Sequence, residues 1–86
     1  MFRKNISGDV KAILLEKWDP LGVNDVPQAR DEYDSYVPGI LRLLHQRAVA
    51  SEIADHLSKL ESDELGIMPN HANNREVANL LKSLGE

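Results

Sequence analysis

No cysteine occurs among the 86 residues. That excludes a disulfide framework and any thiolate metal site, so stability has to come from packing, with or without oligomerisation. It also fits a reducing, cytoplasmic setting. No apolar run approaches the roughly 20 residues of a membrane span. The opening "MFRKNISGDVKAILLEKW" is basic and then apolar, but it has no small-residue cleavage site, and Asp9, Lys11, Glu16 and Lys17 interrupt it. It does not read as a signal peptide. There is no Gly-rich phosphate loop and no Gly-x-Ser-x-Gly elbow. Ser7, Ser35, Ser51, Ser58, Ser62 and Ser83 fall at helix caps or on polar faces.

Aromatic residues are scarce, with one Trp, two Tyr and one Phe. The Trp, both Tyr and three of the four prolines nevertheless fall within Glu16–Pro38, "EKWDPLGVNDVPQARDEYDSYVP". Charge is uneven too. Residues 1–17 and 41–60 are net basic, whereas 18–40 carry Arg30 against five acids and 61–86 carry two basic residues against five acids. With a formal net charge of −4, the chain lacks the basic footprint that phosphate-backbone binding needs. A nucleic-acid partner is therefore not expected, and neither is a membrane. A basic protein partner is compatible with this balance.

The apolar pattern is helical throughout, and no segment alternates like a strand. Val10, Ile13, Leu14 and Trp18 form one stripe, with Ser7 or Asp9 as caps and Asp19-Pro20 as the stop. The stretch "DPLGVNDVP" is a turn-rich loop. A second helix is predicted from about Gln28 to Gln46, with Asp25 as its cap and Pro27 in its first turn. Its stripe is Ala29, Tyr33, Tyr36/Val37, Ile40, Leu41 and Leu44. Pro38 either kinks that helix or breaks it near Asp34, where Asp34 or Ser35 would cap a fresh start; one kinked helix is the expectation. A third helix spans 49–65, with Ile53, Leu57 and Leu60 or Leu65 inward and Gly66 as its left-handed cap. Ile67 and Met68 then plug the core. A fourth helix begins at Asn73, whose spacing to Glu76 matches a capping box. Val77, Leu80, Leu81 and Leu84 line it, and Gly85 closes it. The fold class is all-α: a single helical domain over 1–86, an irregular bundle of about four helices with a proline-kinked second helix.

Several constellations suggest chemistry. The segment "ASEIADHLSK" has the A-x-x-I-A-x-x-L pattern of a helix-turn-helix first helix, but it runs on into the acidic "LESDELG" rather than a turn and a recognition helix. Glu52 and His56, four apart, could share a metal or form an ordinary surface pair. Asp31 and Asp34 could act as paired carboxylates, but they lack the spacing of a calcium loop, and sequence adjacency alone does not raise a pKa. No catalytic, cofactor or metal residue is expected. A small enzyme or metal-dependent protein using Glu52/His56 or Asp31/Asp34 is the alternative to a binding module.

The rare residues form the strongest signal. Trp18, Asp19, Pro20, Gly22, Glu32, Tyr33, Asp34 and Tyr36 predict an aromatic–acidic cluster. Trp and Tyr bury large apolar bodies and want partners for their polar edges. Asp19, Glu32 or Asp34 could accept from the indole N–H, a phenol O–H or loop amides around Gly22. Such a cluster works as a latch fixing the first loop on the second helix, as a surface for a basic partner, or as both. The motifs W-D-P-(I/L)-G-V, here Trp18 to Val23, and D-E-Y-D-x-Y-x-P, here Asp31 to Pro38, resemble a family of small bacterial helical proteins grouped as a domain of unknown function. The likeness extends more loosely to Glu64–Ile67. It implies a helical fold and bacterial origin and carries no activity. The overall expectation is a non-enzymatic protein–protein interaction module, immunity- or adaptor-like, cytoplasmic, and a monomer or weak homodimer.

Overall fold

Val10, Leu14, Leu15 and Trp18 all turn inward from the first helical segment of the computed structural model, which describes residues 6–84. That segment is α1 (Ser7–Ile13), which widens into a π-helical turn over Leu14–Trp18. The widening shows in the bond from Asp19 N to Leu14 O, 2.9 Å. The extra residue per turn accompanies the burial of both Leu14 and Leu15. Asp19 then takes a left-handed backbone at φ 32°. Its neighbour Pro20 disfavours the right-handed helical region there, so the helix stops as the sequence predicts. Ser7 lies inside the helix, and the residue before it is Ile6, which makes no side-chain cap bond.

Among the described residues three more α-helices follow: α2 (Val37–His45), α3 (Ala50–Lys59) and α4 (His71–Leu84). There is no strand among them. The protein is an all-α irregular bundle, and its second helix is bent by 24°. Pro38 sits in the first turn of α2, where its fixed φ is preorganised for a helix start. The stretch from Gln28 to Tyr36 is not regular α-helix, however. It consists of 3-10 turns at Pro27–Ala29 and Asp34–Tyr36 joined by plain turns, and neither 3-10 segment has a side-chain cap. Asp25, Asp34 and Ser35 therefore do not cap a helix here. The tighter winding has a packing reason. Residues three apart eclipse one another in a 3-10 turn, and this brings Tyr33 onto the same side as Tyr36, with ring centroids 6.5 Å apart.

The third helix continues past Lys59 into a second π-helical turn, Leu60–Glu64. Leu65 N bonds Leu60 O at 3.0 Å and Ile67 N bonds Glu61 O at 2.9 Å. Between them Gly66 supplies the left-handed step, φ 67°, that a β-carbon would disfavour. The following loop differs from expectation at Met68, which is 88% exposed rather than a core plug. The fourth helix starts earlier than its capping-box spacing suggests. Asn70, not Asn73, is the cap: Asn70 Oδ1 accepts from Asn73 N at 3.1 Å. Leu80 points outward while Val77, Ala78 and Leu81 are buried. The closing role assigned to Gly85 lies outside the described residues.

The core joins all four helices: Val10, Leu14, Trp18, Tyr33, Ile40, Ile53, Leu57, Val77 and Leu81 are buried in one cluster. The most extensive pairing is α3 with α4, and α1 packs on both α2 and α4. Burial of each such aliphatic side chain contributes about 1.5–3 kcal/mol. Among the described residues, Glu61 and Asn74 are the buried polar ones.

Candidate functional site

Asp19 organises the first loop. Its left-handed backbone turns the carboxylate back over the following residues. Oδ1 accepts from Val23 N at 2.8 Å and from the Tyr33 hydroxyl at 2.8 Å, and Oδ2 accepts from Asn24 N at 3.1 Å. The Tyr33 oxygen in turn accepts from Leu21 N at 3.0 Å. Gly22, at φ 67°, donates to Asp19 O at 3.1 Å. A phenol and a carboxylate thus satisfy the amides that a proline-rich loop cannot pair with a helix or sheet. Burial, followed by the neighbouring Asp19 charge, pushes the Tyr33 hydroxyl far above its ordinary pKa; the Leu21 amide pulls the other way.

The three large rings meet at this loop. Trp18 lies 5.3 Å from Tyr33, tilted, and 6.1 Å from Tyr36, edge-on. Trp18 and Tyr33 are buried, and Tyr36 is half-buried at the edge of the cluster. Burial, then Glu64, then Glu32 raise the Tyr36 pKa. A near neighbour in sequence, Glu32, and a distant acid, Glu64, therefore act on one phenol. Of the other residues singled out in sequence, Pro20 is half-buried and Glu32 exposed. Asp34 turns to Lys11, with Oδ2 3.3 Å from Nζ. Its Oδ1 is buried and has no hydrogen-bond partner among the described residues.

The indole N–H does not go to a carboxylate. Trp18 Nε1 donates to Asn74 Oδ1 at 3.0 Å. Asn74 Nδ2 donates to Glu61 Oε1 at 2.7 Å and to Ser58 Oγ at 3.0 Å. Glu61 Oε1 also accepts from Asn70 N at 3.2 Å, next to the start of α4. The neighbouring Asn73 Nδ2 donates to the carbonyls of Lys17 and Trp18 at 3.3 and 3.4 Å, capping the end of the first π turn. So both π turns are pinned to the N-terminal turn of α4. The sequence reading places Asn73 at the start of the fourth helix and Ser58 at a cap or on a polar face, and does not single out Asn74 or Glu61. A signal existed: Glu61 continues the inward register of Leu57 at four-residue spacing, and Asn74 stands three before Val77. Polar residues on an inner face need each other.

The remaining candidates sit apart from this network. Glu52 Oε1 accepts from Val49 N at 3.1 Å and serves the start of α3. His56 is half-buried against Gly39, where an added β-carbon would stand 3.2 Å from its Nε2. Burial, then Arg42 and Lys59, hold its pKa below the ordinary value. Asp31 is exposed. Among the described residues no three His, Asp or Glu side chains converge closely enough to hold a metal ion, and no helix is long and apolar enough to cross a membrane. No protein-family model, curated protein sequence or solved structure matches this chain.

Proposed function

We propose that this chain is a non-enzymatic, cytoplasmic bacterial interaction module of immunity- or adaptor-like type, acting as a monomer or weak homodimer, with a basic protein as its partner. The observation that carries the reading is the position of Tyr36, half-buried at the rim of the aromatic cluster with Glu32 and Glu64 acting on it from separate segments. Glu32 and Glu64 are exposed, as are their chain neighbours Asp31 and Asp63. A half-buried phenol with two acids acting on it suits a cationic side chain, because the ring is attractive to a cation and the carboxylates supply steering. The buried part of the cluster holds the loop, and only its rim is free to recognise a partner. Glu52 accepts from Val49 N at the start of α3 and Asp34 pairs with Lys11, so this reading assigns neither pair a chemical role.

The test is a charge reversal. A tagged chain is used to isolate its partner from a bacterial host, and the purified pair is titrated at rising salt. Binding should weaken with salt and fall at least about tenfold in an E32K/E64K variant. A partner that is acidic, or one that binds the variant equally well, would sink the reading.

A further inference from the structure

A groove of about 250 Å³ runs between α3 and α4, and Ala54, Asp55, Ser58, His71, Arg75 and Asn79 are among the residues that line it. It is smaller than the roughly 300–1,000 Å³ of drug-sized sites. The buried network fixes the chemistry of one end. An indole N–H can only donate, so Asn74 Oδ1, bonded to Trp18 Nε1, must be the acceptor. The amide orientation is thereby settled by a donor-only partner. Asn74 Nδ2 then gives its hydrogens to Glu61 and Ser58. Ser58 Oγ accepts that bond and stands 3.2 Å from His71 Nδ1, with its one hydrogen left for a further acceptor. When Ser58 gives that hydrogen to Nδ1, a neutral His71 carries its proton on Nε2. This N–H has no protein partner among the described residues.

Arg75 lies four residues beyond His71 on α4, a spacing that shares one helix face. Its guanidinium forms no ion pair or hydrogen bond among the described residues. The same holds for the Asp55 carboxylate, which lines the groove from α3. A cation, a directed N–H and an anion thus share one small concavity without satisfying one another. A simple anion would lie beside Asp55 and a simple cation beside Arg75, and each would meet repulsion. Only a ligand carrying both charges uses both side chains.

We propose that this groove binds a free small α-amino acid, its carboxylate on Arg75 and His71 Nε2–H and its ammonium on Asp55. The site does not depend on the protein-binding rim around Tyr36. The test is amide-resolved NMR titration of the full chain with L-alanine, N-acetylalanine and alaninamide, which separate the zwitterion from a lone carboxylate, as at a peptide C-terminus, and from a lone ammonium. Alanine is expected to shift groove amides with a dissociation constant near 1 mM, about tenfold below either blocked probe. Arg75→Ala should reduce alanine to the level of alaninamide, and Asp55→Asn to that of N-acetylalanine. Both residues are exposed, and an unchanged melting curve confirms that each variant folds. Long-range nitrogen correlation spectra should show the Nε2–H tautomer of His71. Equal shifts from all three probes, no saturation by about 20 mM, an affinity indifferent to both substitutions, or an Nδ1–H tautomer would overturn the proposal.

Discussion

Trp18 and Asn74 join helices 56 residues apart through one buried hydrogen bond of 3.0 Å, from indole N–H to side-chain amide oxygen. The same amide satisfies Glu61 with its nitrogen. Removing it would leave an indole donor unpaired and strip a buried carboxylate of its shortest bond. Asn74→Ala should therefore cost about 2–4 kcal/mol, a large share of the stability of a small domain. Urea unfolding measures it; a loss below about 0.5 kcal/mol would show that the network is dispensable.

Substitutions at Trp18 separate packing from hydrogen bonding. Trp18→Ala removes a side chain only 3% exposed and should cost about 3–5 kcal/mol, giving an unfolded or molten chain. Trp18→Phe keeps an aromatic body but orphans the Asn74 oxygen, at about 1–3 kcal/mol. A near-native melting curve for Trp18→Ala would place the aromatic cluster outside the stability of the fold and recast it as a recognition surface.

Tyr33→Phe deletes the hydroxyl that links Leu21 N to Asp19. The helices should persist at a cost of about 1–2 kcal/mol, with faster hydrogen exchange at the loop amides of Leu21, Val23 and Asn24. The substitution also alters alkaline behaviour. Tyr33 holds its proton more tightly folded than unfolded, through burial and Asp19. The unfolded state thus loses that proton first, above a pH of about 10. The associated stability is complete below that pH and is lost as pH rises toward the folded pKa. Denaturant midpoints above about pH 10 should fall more steeply for the native chain than for Tyr33→Phe; parallel slopes would contradict the assignment.

His56 contributes one acid-sensitive increment of stability. Burial, then Arg42 and Lys59, lower its folded pKa, so below about pH 6.5 the unfolded chain takes up a proton that the folded chain refuses. Stability is therefore full above that pH and lost as pH falls toward the folded pKa. Melting temperatures between about pH 8 and 5 should decline further for the native chain than for His56→Gln. Equal declines would show that the imidazole is as free to ionise when folded as when unfolded.

Pro38→Ala should fold normally and change stability by no more than about 1 kcal/mol. Pro38 occupies the first turn of α2, where its fixed φ suits the helix start and alanine can adopt the same backbone without strain. Collapse of the fold in this variant would mean that the ring itself holds the bend.

These residues also show which parts of the molecule were legible before folding. The stop at Asp19-Pro20, the burial of Trp18 and the left-handed Gly66 all follow from local backbone rules and apolar period. Asp19 was one of three acids able to receive the phenol and loop amides; its left-handed backbone made it the one. The 3-10 winding of Asp34–Tyr36 escaped because a stripe spaced at three and four fits an α-helix as well, and only the mutual packing of the rings decides. Glu61 and Asn74 escaped for a different reason. Hydropathy counts a carboxylate and an amide as outward-facing, and their burial makes sense only once an indole from a distant segment completes the set. Met68 failed in the opposite sense: it is an apolar residue that nothing in the described structure covers.

The bond between Trp18 and Asn74 also sets an order of events during synthesis. A nascent chain that has emerged only as far as Leu65 already possesses the segments of the first three helices, yet its indole and Glu61 have no amide to meet. The native junction waits for α4, because its contacts span so much of the chain. Until then the ring cluster is exposed to other partners, including chaperones and a second unfinished copy. Between translation of Glu61 and release of Asn74, the indole and the carboxylate therefore lack their native amide partner.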